Sequence, residues 1–139
     1  MTAFADLIVA SNYSFLRGAS PAADLVRRAL ELGHAGIGIA DRNTVAGVVR
    51  AYAALRDLHE RLDELPDTSE AHAVAARVRA FRLVVGARLA FTDGTPDIVA
   101  LPINRAGWGR LCRLLTQGNR RAPKGECHLT VADLTEHAA

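Results

Sequence analysis

The chain has 139 residues, the size of one ordinary domain and short for an enzyme built on a large barrel. Half of the residues are hydrophobic and 23% are charged, which excludes a disordered chain and allows a real core. The net charge of +2 is too small to mark a nucleic-acid binder by itself.

The apolar run LIVA within residues 6–10 predicts a short buried strand. A loop over 12–19 ends at Ser20-Pro21, where Ser at the N-cap and Pro at the first helical position predict a helix start. Asp24 suits the positive end of that helix. Ala22, Leu25, Val26, Ala29 and Leu30 form one apolar face, Arg27, Arg28 and Glu31 fall opposite, and Gly33 is placed to end the helix in a left-handed conformation. AGIGIA at 35–40 then reads as a buried parallel strand, so the unit is strand, helix, strand.

A second helix is expected over about 44–65, interrupted by Pro66-Asp67-Thr68-Ser69, and a further one over 70–80. RLVVGA at 82–87 and DIVAL at 97–101 read as adjacent strands separated by the turn Thr92-Asp93-Gly94-Thr95. Asn104 is placed to cap a helix on which Trp108, Leu111, Cys112 and Leu115 share a face. Thr130 opens T-V-A-D, a capping-box pattern with Asp133 in place of the usual Glu. Alternating strands and helices predict an α/β fold with a mostly parallel sheet, in one domain over 1–139.

Between Ile98 and Gly125 there is no Asp or Glu, while Arg105, Arg110, Arg113, Arg120, Arg121 and Lys124 all fall there. This stretch reads equally as one that meets phosphates, with Arg110, Arg113, Arg120, Arg121 and Lys124 as the candidates, or as a solvated helix face running into a basic loop. Cys112 and Cys127 lack metal or disulfide spacing and are expected to be free thiols in a reducing cytoplasm. No signal-peptide pattern opens the chain, and the run over 7–10 is far too short to span a membrane.

Five segments together carry a resemblance. DLIVASNYSFLRGAS (6–20), GIADRNTVAGVVRA (38–51) and VVGARL (84–89) resemble three successive motifs of the polymerase-and-histidinol-phosphatase (PHP) domain that opens bacterial DNA polymerase III alpha subunits. NRAGWGRLCRLLT (104–116) is similar to the helix that follows in that family, and RRAPKGECHLTVADL (120–134) is most like its error-prone branch. Residues about 56–77 look like a helical insertion. The resemblance implies a distorted barrel of seven strands with outer helices, a (β/α)7 arrangement of which this chain supplies the first half or so.

The departures from the family motifs matter as much. The first motif is usually His-x-His-Ser, the second Thr-Asp-His-Asn and the third Gly-Ala-Glu. Carried over position by position, the two histidines fall on Ile8 and Ala10, the third on Arg42 and the glutamate on Arg88. Only Asp41 keeps a group able to ligate. Isoleucine and alanine have no lone pair to donate, and arginine keeps its proton. No metal cofactor, and no phosphoesterase or exonuclease chemistry, is therefore expected of this segment. One of Arg42 and Arg88 is expected to turn inward and pair with Asp41 in the space the metals would fill. Ser14 matches a family position near the barrel mouth and reads as a cap on loop backbone groups.

The five histidines, His34, His59, His72, His128 and His137, occupy no family ligand position and are expected to pack or solvate. As the resemblance implies, the segment is a structural module of an error-prone, damage-tolerant DNA polymerase whose magnesium-dependent palm lies elsewhere. Its partners would be the remainder of the polymerase chain, DNA through that chain, and other proteins of a mutasome, in the cytoplasm and with no membrane. The alternative is a free-standing PHP-type phosphoesterase or a binding module with a degenerate site.

Overall fold

A computed structural model, which describes residues 3–138, has four strands and five helices. The strands are β1 (Ala5–Val9), β2 (Gly36–Arg42), β3 (Arg82–Leu89) and β4 (Ile98–Ala100). The helices are α1 (Ala22–Glu31), α2 (Ala46–Glu60), α3 (Ser69–Ala80), α4 (Arg105–Arg121) and α5 (Val131–Ala138), with a 3-10 turn over Arg61–Glu64 between α2 and α3. One sheet runs in the order β1-β2-β3-β4, the first three strands parallel and β4 antiparallel to β3. The expected mostly parallel α/β architecture is present.

Alternation along the strands splits the sheet into two faces. Ile37 and Ile39 of β2 pack with Val26 and Ala29 of α1 and with Val48, Ala51 and Leu55 of α2. Ala87 and Leu89 of β3 pack with Leu111, Leu114 and Leu115 of α4 and with Leu129. Trp108 touches both clusters and joins them. The opposite parity is a run of small residues, Gly36, Gly38 and Ala40 of β2 with Gly86 of β3, and belongs to neither cluster. At Gly38 a Cβ would run into the Leu7 backbone, and at Gly86 into the Ala100 carbonyl. At these two points the neighbouring backbone leaves no room for a side chain.

Several local expectations shift. β1 is the sheet edge instead of a buried strand, with Leu7 42% and Ile8 51% exposed. Ser20 does not cap α1. Its carbonyl accepts from Asn12 N–H at 2.9 Å, and Pro21, at ψ 143°, takes the cap position and accepts from Asp24 and Leu25. The helix expected to reach residue 65 loosens after Glu60 into the 3-10 turn. Thr68 caps α3 and Asn104 caps α4 through their side chains, at 3.2 and 2.8 Å. Of the region read as an insertion, α3 buries Ala71, Ala75 and Val78, so this part packs on the body through an alanine-rich stripe.

Candidate functional site

The parallel strands end together, and the loops that leave them build the site. β1 runs into the loop carrying Ser11, Tyr13, Ser14, Phe15 and Arg17. β2 ends at Asp41-Arg42, and α2 begins just after it with Gly47 in its first turn. Asp41 is fully buried. Its Oδ1 accepts from the Ser11 backbone N–H at 2.7 Å and from Ser14 Oγ at 2.6 Å, and its Oδ2 accepts from Ser11 Oγ at 2.7 Å. The serines are themselves enclosed and engaged further: Ser14 Oγ accepts from the Arg42 N–H at 3.0 Å, and Ser11 Oγ from the Tyr13 N–H at 3.2 Å. A Cβ at Gly47 would collide with the Asp41 carboxylate and the Ser11 hydroxyl. The carboxylate is thus walled in by one glycine and satisfied by two serines, as a buried charge must be.

The expected pairing of Asp41 with Arg42 or Arg88 does not occur. Arg42 and Arg88 are register partners on β2 and β3, so they stand on one face of the sheet, while Asp41, one residue earlier, projects to the other. Two neighbouring guanidinium groups repel, and they diverge. Arg88 leans toward Asp97 at 4.0 Å, and Arg42 is exposed at a cleft beyond the strand ends. Ile8 is half exposed on the edge strand, and Ala10 follows the end of β1.

The basic stretch is dispersed. Lys124 lines the cleft shared with Arg42, while Arg113, Arg120 and Arg121 border a second hollow on α4 and Arg110 a third beside Leu101 and Leu134. Arg105 opens α4 and is exposed. Arg121 is engaged: its two terminal nitrogens donate to Asp133 at 2.7 and 2.9 Å. Asp133 also takes Gln117 at 3.0 Å and the Thr130 N–H and hydroxyl at 2.8 and 2.9 Å, while its own N–H returns to Thr130 at 3.3 Å. The Arg121 guanidinium, then the Thr130 donors, hold the Asp133 carboxyl well below the usual carboxylate range.

The other candidate groups are occupied or quiet. Burial pushes both the Cys112 and Cys127 thiols up, the latter against an opposing pull from Arg121, and both are free. His72 meets Asp67 at 3.1 Å on the surface, and His128 meets Glu126 at 2.9 Å. His34 packs edge-on against Phe4, its Nδ1 buried and, among the described residues, without a partner. Among the described residues, no three of His, Cys, Asp and Glu stand close enough together to hold a metal ion, and no helix is long and apolar enough to cross a membrane.

Residues 6–138 match the family model of the PHP domain. The chain belongs to the PHP domain family. Error-prone DNA polymerases match this PHP domain closely: 52% identity over 132 residues in Rhodopseudomonas palustris strain BisB5, and 50% over 135 in Brucella abortus biovar 1 strain 9-941. In Rhizobium meliloti strain 1021, error-prone DNA polymerase 1 is 49% identical over 133 residues. These alignments cover 95–96% of the chain but only 10–11% of each relative, in its N-terminal region. The chain therefore spans about a tenth of the length of the curated relatives it matches. A solved structure described as a candidate metal-dependent phosphoesterase from Bifidobacterium adolescentis superposes with a TM-score of 0.46 at 22% identity, over 84% of this chain and 35% of that one.

Proposed function

We infer that this PHP domain is a structural module of an error-prone, damage-induced DNA polymerase, with a metal site that has lost its chemistry. The observation that carries the reading is the state of Asp41. Of the family ligand positions, it alone retains a donor, and its oxygens already serve three protein hydrogen bonds on the far side of the sheet from Arg42 and Arg88. Ile8, Ala10, Arg42 and Arg88 offer no lone pair, so the residues present do not fit a divalent cluster. The serine bonds to Asp41 keep the strand ends joined, which is a scaffolding duty.

Under this reading the remainder of the polymerase chain completes a seven-stranded barrel. The magnesium-dependent nucleotidyl transfer belongs to acidic residues outside this segment, and DNA and the proteins of a mutasome are met through the parent chain in the cytoplasm. The competing reading is a free-standing metal-dependent phosphoesterase. Two measurements separate them. Elemental analysis of the purified native protein should find no stoichiometric zinc, manganese or iron attributable to this domain, and p-nitrophenyl phosphate should not be hydrolysed above background. Antibody against this segment should detect a band many times heavier than 14.9 kDa. A band at that mass with bound metal would overturn the assignment.

A further inference from the structure

Beyond the ends of β1, β2 and β3 lies a cleft of about 770 Å³, in the range of sites that hold small molecules or one unit of a polymer. Ligands of parallel α/β sheets gather at this end of the strands. Three cations line the cleft: Arg17 from the loop after β1, Arg42 from the end of β2 and Lys124 from the loop after α4. All three are exposed, and among the described residues none of them is in an ion pair. The one carboxylate in the lining, Glu126, is taken up by His128 at 2.9 Å, and Asp41 is sealed beneath. The cleft therefore concentrates positive charge that the net +2 of the chain conceals.

Two aromatic rings share the lining. Tyr13 is 41% exposed and Phe15 is 84% exposed, on a loop where Leu16 adopts a left-handed φ of 61°. A largely exposed phenylalanine lining one cleft with guanidinium groups has the chemistry that receives a base on the ring and a phosphate on the cation. We propose that the cleft binds single-stranded DNA, with Arg17, Arg42 and Lys124 on successive phosphates and Phe15 and Tyr13 stacking on bases. The inference rests on the metal-free reading above: Arg42, standing at a ligand position, replaces a metal's charge with its own. It also moves the phosphate contacts from α4 to the strand ends, with Lys124 the only member common to both sets.

The test uses the full-length polypeptide, because the neighbouring domains belong to the protein. Oligothymidylate carrying 4-thiothymidine is photocrosslinked, and the attached peptides are mapped by mass spectrometry. Crosslinks are expected within residues 13–17 and 123–128. The triple variant Arg17→Ala, Arg42→Ala, Lys124→Ala should lower their yield about tenfold and reduce the slope of log affinity against log salt by roughly 2, the value for three phosphates of a single strand. Phe15→Ala should weaken crosslinking without changing that slope. Unaltered yield in the triple variant, or crosslinks confined to other peptides, overturns the proposal. Equal competition by thymidine monophosphate at matched nucleotide concentration overturns it in favour of a free-nucleotide site. Metal content measured on the same preparation separates the two failures: metal with no crosslink sinks the metal-free reading, and no metal with no crosslink sinks only the strand site.

Discussion

Asp41 shows how much one buried carboxylate can organise. Its three donors come from 27 and 30 residues away in the chain, so the bonds staple the β1–α1 loop to the end of β2. Removing the acceptor leaves buried donors without partners, at about 1–3 kcal/mol for such groups. Asp41→Ala should therefore lower the melting temperature by several degrees in calorimetry. Gly47→Ala should cost a similar amount, about 1–3 kcal/mol, because the added methyl has only the carboxylate and the serine hydroxyl to displace. Arg42→Ala and Arg88→Ala, by contrast, should stay within about 0.5 kcal/mol of the parent, as exposed or loosely paired side chains do. A marked loss on either arginine would mean that it supports Asp41 after all. Both serines were visible in the sequence. Their partner was not, because the serines meet Asp41 only once β1 and β2 have paired, 27 and 30 residues apart in the chain.

Helix α5 and its anchorage are the clearest case at the level of the element. T-V-A-D was readable as a capping box because its bonds are local, and Thr130 and Asp133 make both of them. That the same carboxylate also receives Arg121 from the last turn of α4 is a tertiary fact, since it depends on how the loop over 122–129 returns. The pairing gives the contact a pH dependence of known sign. Asp133 is held below the usual carboxylate range when folded, so its contribution is complete above about pH 4 and is lost as pH falls below that toward the depressed value. Acid titration of stability should show Asp133→Asn converging with the parent as pH drops below 4, the two differing most near neutrality. Thr130→Ala should cost about 1 kcal/mol at any pH above that window. A constant gap between Asp133→Asn and the parent down to pH 2 would rule out the linkage.

At the scale of the whole chain, several large apolar side chains face outward. Ile8, Phe15, Leu16 and Ile103 are 51, 84, 90 and 96% exposed, and β1 offers an unpaired parallel edge. Such an edge invites pairing with another strand. Residues 1–139 produced alone should therefore self-associate with rising concentration in sedimentation velocity, and Ile8→Lys should shift the distribution toward monomer. A strictly monomeric parent at high concentration would show that the curl of the sheet already protects the edge.

Hydrophobic period, cap residues and glycine placement lie within a few positions of one another, and from them the α/β class, the α4 and α5 starts and the strand order of adjacent segments were legible. The family motifs were equally open to reading, since those are identities and not positions. The register that sets Arg42 beside Arg88, the serine cradle that replaced the expected ion pair, and the scattering of one basic stretch over three surfaces came only with the tertiary structure. Each depends on segments far apart in the chain meeting at a particular register and angle, and no window of neighbouring residues contains that information.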